Sequence, residues 1–175
     1  MATVPEVFSF PNPVNEKAAR VVAGGVAVLA ATTLLTGWHW LIVVLALGFL
    51  ARVVSGPTLS VLGQVATRVI APRLGPPTLV PGPPKRFAQA IGLTFTAVAA
   101  VASIGFGLTT LAGALVAILL LFAMLESVVG FCAGCRLFGL LMKAGLIPEE
   151  TCEACNNIWA RPVDGGQRAE AFPPA

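Results

Sequence analysis

Charge is what this sequence is short of. Of its 175 residues only 11% are charged and 57% are hydrophobic, and the mean hydropathy is +0.87. A water-facing domain carries about 25% charged residues, so a soluble globular fold is excluded. The scarcity is also regional. Residues 21–51 contain no Asp, Glu, Lys or Arg and a single ring-ionisable residue, His39, while residues 87–125 contain no charge at all. Apolar runs of that length belong in a bilayer.

Other absences narrow the chemistry. No Walker loop, dinucleotide-binding glycine fingerprint, catalytic triad or His-Glu-x-x-His motif occurs. The first 20 residues carry Glu6, Glu16 and three prolines rather than a basic n-region, and no small-x-small cleavage site follows the first apolar stretch. They read as a cytosolic arm leading into a retained helix.

Each apolar run is too long for one crossing. The 31 residues of 21–51 make about 46 Å of helix against a hydrocarbon core of about 30 Å. Each run has a glycine-marked break, at Gly37 before Trp38-His39-Trp40 and at Gly105-Phe106-Gly107. Spans are therefore expected at 18–36, 38–54, 87–104 and 108–131. With four spans all 11 basic residues fall on the side of both termini, which the positive-inside rule makes cytoplasmic. The net charge of +3 is then a topology signal that favours anionic headgroups, and no nucleic-acid partner is implied.

The expected fold class is all-α: a polytopic protein of the cell membrane with four transmembrane helices in two hairpins, an interfacial helix and a small cytosolic Cys-rich lobe. The divisions are an N-terminal arm at 1–17, a first hairpin at 18–54, an amphipathic helix and Pro-rich loop at 55–86, a second hairpin at 87–131, the lobe at 132–161 and a disordered tail at 162–175. Within the loop, Leu59, Leu62, Val65, Ala66 and Val69 form an apolar stripe at helical spacing, suited to the membrane interface. Pro76-Pro77 and Pro83-Pro84 then predict a stiff, extended return. Gly24, Gly25, Ala27, Gly113 and Ala117 are small residues where helices in lipid would touch.

All four cysteines lie within 24 residues, as Cys132-Ala-Gly-Cys135 and Cys152-Glu-Ala-Cys155. Two readings stand. The spacing suits four thiolates on one zinc ion, with an iron–sulfur cluster as a further metal option and Arg136 and Lys143 offsetting the charge. It equally suits two dithiol pairs that exchange electrons or a persulfide. If Gly130 ends the fourth span and a new helix begins at Cys132, that thiol sits at a helix N-terminus near Arg136, and both features favour a reactive thiolate. On this reading Cys132 reacts first, Cys135, buried one turn later, resolves it, and Cys152 with Cys155 exchange with an outside partner. Those two would stand on one face of a short helix opened by Pro148.

Glu126 is the one carboxylate in a span, and an acid at membrane depth is a candidate functional group. On an unbroken helix it lies about 240° from Cys132, so pairing the two needs the break at Gly130. His39 between two tryptophans reads as part of an aromatic belt. A small transporter for a sulfur compound is a third class, disfavoured because the spans offer few ionisable groups unless Glu126 faces a hydrated cavity between the hairpins.

Arg86-Phe87-Ala88-Gln89, Pro72-Arg73-Leu74-Gly75-Pro76-Pro77, Gly130-Phe131-Cys132-x-Gly134-Cys135 and Ile147-Pro148-Glu149-Glu150-x-Cys152-Glu153-x-Cys155 together resemble bacterial membrane proteins of domain-of-unknown-function family 4395, over residues 12–161. The resemblance implies a membrane protein, names no reaction, and hints at a thioredoxin-like or sulfurtransferase partner.

Overall fold

The computed structural model describes residues 10–147. Four long helices form its frame. Helix α1 (Glu16–Thr36) is capped by Asn15, whose side chain accepts the Lys17 amide at 3.1 Å. It ends at Gly37, which takes the left-handed φ of 70° that a side chain would resist. Helix α2 is Trp40–Ser55. The second pair is α4 (Gly82–Gly105) and α5 (Thr109–Val129), turned at Gly107 with φ 68°. Both turns fall at the glycine-marked points read from the sequence. Three helices, α1, α4 and α5, are long and apolar enough to cross a membrane, whereas α2 has 16 residues, about 24 Å.

Helix α4 begins five residues earlier than the span boundary expected at Phe87. Pro83 and Pro84 occupy its first turn rather than an extended return. The reason is local: first-turn N–H groups have no helical partner, so prolines cost nothing there and their fixed φ suits the helix. What does extend is Leu79–Val80, which pairs antiparallel with Val14–Asn15. Asn12 adds a side-chain bond to the Gly82 amide at 3.0 Å. The arm is thereby tied to the loop between the hairpins.

The hairpins pack crosswise, α1 on α5 and α2 on α4. Their shared core is made by Val26, Ala27 and Ala30 from α1, Ile42, Leu45 and Phe49 from α2, Ala99 from α4, and Ala112, Val116 and Leu119 from α5. Close approach rests on glycine at two crossings. A Cβ on Gly92 would enter the Phe49 ring, and one on Gly24 would lie 3.0 Å from Ser127 Oγ. Gly113 and Ala117 do not serve this way. Nothing lies within 4 Å of a Cβ built on Gly113, and Ala117 is exposed. The buried seam of α5 runs through Ala112 and Val116 instead.

Between the hairpins, α3 (Val61–Gln64) starts at Ser60, whose hydroxyl accepts the Gly63 amide at 3.2 Å. It widens into a π-helical turn at Val65–Ile70 and tightens at Ala71–Leu74. The expected apolar stripe divides. Ala66 is buried and Leu62 half-buried, while Leu59, Val65 and Val69 face outward. The π-turn breaks the 3.6-residue period on which that stripe was drawn, and the small residues Ser60, Gly63 and Ala66 make the close contacts. Helix α6 (Ala133–Lys143) follows α5 and rests on α4. Phe138 meets Phe87 edge-on with centroids 5.5 Å apart.

Candidate thiol site at the charged end of the bundle

The bonds of the basic side chains converge on one end of the bundle. Lys17 reaches the Leu74 carbonyl at 2.7 Å, Arg20 the Ser127 and Val128 carbonyls at 3.2 and 2.7 Å, and Arg86 the Val53 carbonyl at 2.9 Å. Helix starts of α1 and α4 are thus laced to helix ends of α2 and α5. Arg52 lies inside this layer, 5% exposed. It donates to Gln89 Oε1 at 2.7 Å and Ser60 Oγ at 3.3 Å and places its guanidinium 4.5 Å from the Phe49 ring centre.

The thiols enter from α5. Gly130, at φ 77°, ends that helix by donating back to the Glu126 and Leu125 carbonyls. The chain turns, and Cys132 becomes the extended N-cap of α6 at φ −93° and ψ 103°. Gly134 lets α6 settle onto α4, since a Cβ there would stand 2.6 Å from Ala88 Cβ. The turn at Gly130 is therefore real, and it brings Cys132 back over the end of α5. Cys132 is buried and Cys135 half-buried, and both are free thiols. That reverses the expected burial order, in which Cys135 was the deeper of the two, because the N-cap faces the bundle while the next turn rises along its surface.

Glu126 has a partner that the sequence reading missed. Lys85 Nζ bonds its Oε1 at 2.7 Å, with side chains only 9% and 15% exposed respectively. The two residues are 41 positions apart, and no local spacing announces their meeting. Glu126 thus bonds a neighbouring helix.

The two thiols are pushed in opposite directions. Cys132 is held below its ordinary value of 9.0, chiefly by the Cys135 hydrogen bond, with Lys85 helping and burial and Glu126 opposing. Cys135 is pushed up, first because it donates that bond and then by burial. A thiolate at Cys132 beside a protonated Cys135 is a nucleophile with a resolving thiol in place. The cation placed to favour that thiolate is Lys85, where the sequence had pointed to Arg136; the Arg136 guanidinium lies 5.6 Å from the Phe131 ring centre.

Between the hairpins, reaching this site, is a cavity of about 280 Å³. Its walls are mostly apolar, with Val26, Gly92, Phe95 and Phe122 among them, and its polar members are Gln89, Glu126 and Cys132. Cys132 lines it and Cys135 does not.

A family model matches residues 14–143, described as a domain of unknown function, DUF4395. The chain belongs to the DUF4395 family. No curated protein and no solved structure matches it. The DUF4395 match takes in Cys132 and Cys135 and ends before Cys152 and Cys155. Those two cysteines, and the helix expected from Pro148, lie outside the described residues, so only half of the four-thiolate zinc set lies within them. Among the described residues no group of three or more His, Cys, Asp or Glu side chains gathers to hold a metal ion. His39 stands half-buried between Trp38 and Trp40, whose rings stack 6.2 Å apart, at the turn of the first hairpin.

Proposed function

We propose that this chain is a four-span membrane protein whose cysteine pairs carry electrons by thiol–disulfide exchange on the cytosolic side. The observation that carries the reading is the Cys132–Cys135 pair itself: an N-cap thiol favoured as thiolate by a hydrogen bond from a resolving thiol three residues on. In the forward step two thiols become one disulfide and give up two electrons and two protons to an acceptor. A soluble thiol protein of the thioredoxin-like or sulfurtransferase kind restores them through Cys152 and Cys155.

Four spans with both termini cytosolic follow from the positive-inside rule and agree with the basic side chains that bond across one end of the bundle. The short helix α2 spans by drawing the Trp38–Trp40 turn and Arg52 toward the two interfaces, a device open to short segments through flanking residues. Transport is a weaker reading. Glu126 does line a cavity between the hairpins, but it is paired with Lys85 and the other walls are mostly apolar, which offers a hydrated solute no path.

The test is metal content and thiol state of the purified, reduced full-length protein. No bound metal, and a Cys132–Cys135 disulfide formed by diamide and reopened by dithiothreitol, are expected. One zinc per chain with all four thiols protected from alkylation would overturn the relay and establish the zinc scaffold.

A further inference from the structure

The relay needs an acceptor, and the cavity constrains its chemistry. Cys132 faces a chamber that Cys135 does not touch, so the first contact of the thiolate is with whatever fills that chamber. Its walls are mostly apolar, which excludes an ionic or sugar-like oxidant. Two of the lining residues, Phe122 and Leu137, are 42% and 44% exposed, so the chamber is open where they stand. Phe122 lies within the α5 span, which in a four-span topology borders lipid, so the chamber can be filled sideways from the bilayer. At about 280 Å³ it is at the small end of the range for ligand pockets, about 300 Å³ upward, enough for one ring with a tail leaving through the opening. At the thiol end stand the Gln89 amide, whose N–H can donate to a ring oxygen, and the Glu126 carboxyl, which can relay protons. Closing a dithiol releases two electrons and two protons, and the lipid-soluble class that accepts both is the quinones.

We propose that the cavity is the binding site of a membrane quinone, which Cys132 and Cys135 reduce. This rests on the thiol-relay reading and adds its oxidant. The Cys132 thiolate adds to the quinone ring, forming an S–C bond, and one ring oxygen takes up from solvent the proton that Cys132 released on ionising. The Cys135 thiol then loses its proton and attacks the Cys132 sulfur. The S–S bond forms, the S–C bond breaks and its electron pair stays on the ring. The second oxygen takes up the proton that Cys135 lost and the quinol leaves into the lipid. Two thiols have become a disulfide, and the quinone has gained the two electrons and two protons they lost. Glu126 lines the chamber where those protons must be delivered, and its salt bridge with Lys85 keeps the carboxyl in place.

The experiment uses the reduced full-length protein in detergent, without oxygen, mixed with decylubiquinone. Quinone absorbance is followed, and the Cys132–Cys135 disulfide is read by alkylation and mass spectrometry. Saturable reduction of one quinone per chain is expected, abolished by Cys132→Ser. Ala123→Phe, which fills the chamber, and Phe122→Trp, at its exposed mouth, should each raise KM about tenfold while leaving diamide oxidation of the pair unchanged. Phe122→Trp keeps the test decisive if Ala123→Phe fails to fold. If diamide closes the pair but decylubiquinone reduction is non-saturating and indifferent to Phe122→Trp, the chamber is filled by lipid and the quinone assignment falls while the relay stands. If diamide closes no disulfide, both fall.

Discussion

The two ends of this bundle are built by different rules. At one end the hairpins simply turn. Gly37 and Gly107 adopt positive φ, nothing lies within 4 Å of where their Cβ atoms would be, and Trp38, Trp40, Ile104 and Phe106 are more than half exposed. At the other end helix starts and ends are locked by long-range bonds, Arg52 and Lys85 are buried, and α6 is pressed onto α4 with no room at Gly134. Apolar packing alone would not need buried cations, which are costly in any membrane-depth setting. Both buried cations lie in the layer that holds Cys132 or beside it, with Lys85 close enough to act on that thiol, and this is the end on which the proposed relay depends.

The strongest way to break that division is to unpair its buried charge. Lys85→Ala leaves Glu126 without its cation, and removing one partner of a buried pair costs about 3–5 kcal/mol. Thermal unfolding in detergent should show that loss, and the double variant Lys85→Ala with Glu126→Ala should recover most of it, because both members of the unpaired set are then gone. A Lys85→Ala protein as stable as the parent would mean the bridge holds nothing together.

Next in size is Gly134→Ala. The new methyl would stand 2.7 Å from the Ala88 Cα, a backbone atom that cannot swing aside, so α6 must lift from α4 at about 1–3 kcal/mol. Since Cys132 caps α6, its alkylation rate should change together with stability. The same substitution at Gly113, where nothing lies within 4 Å, should move neither.

These expectations also divide what was legible in the sequence from what was not. The turns at Gly37 and Gly107 and the end of α5 at Gly130 could be read, because apolar runs longer than a bilayer must break and glycine marks where. The family could be read from its cysteine and Arg-Phe-Ala-Gln motifs. The partner of Glu126 could not, nor could the bonds of Arg52 to Gln89 and Ser60. Each joins residues on different elements, and crosswise packing of the hairpins decides which of them meet. The cavity is the same kind of fact: Val26, Gly92 and Phe122 share a wall only once α1, α4 and α5 are set in register. Pro83-Pro84 misled because an N-terminal helical turn and an extended segment place the same demand on φ.

A subtler probe is the pH dependence of Cys132. Its thiol lies below the ordinary 9.0, so its alkylation rate should reach half-maximum below that pH. Cys135→Ala removes the donor that contributes most, and the half-point should climb. Lys85→Met removes a favouring cation and should move it the same way by less. In both variants alkylation at neutral pH becomes slower, because a smaller share of the thiol is ionised. A half-point unmoved by Cys135→Ala would show that the two sulfurs do not communicate.

The smallest expected effect lies at the opposite end. His39 is the chain's one histidine and the residue most open to being taken for a proton carrier. It sits in the turn of the first hairpin, flanked in sequence by Trp38 and Trp40, whose rings stack on each other, at the opposite end of the bundle from Cys132. Neither a bond nor a close charge links it to the thiol layer among the described residues. His39→Gln keeps a polar ring-sized group at the interface, and substitutions away from packed or bonded features stay within about 0.5 kcal/mol. Unfolding temperature, the rate at which diamide closes the Cys132–Cys135 pair and the pH half-point of Cys132 should all match the parent protein. A change in any of the thiol readouts would mean that the far turn is coupled to the charged end through the helices, and the division between the two ends would have to be abandoned.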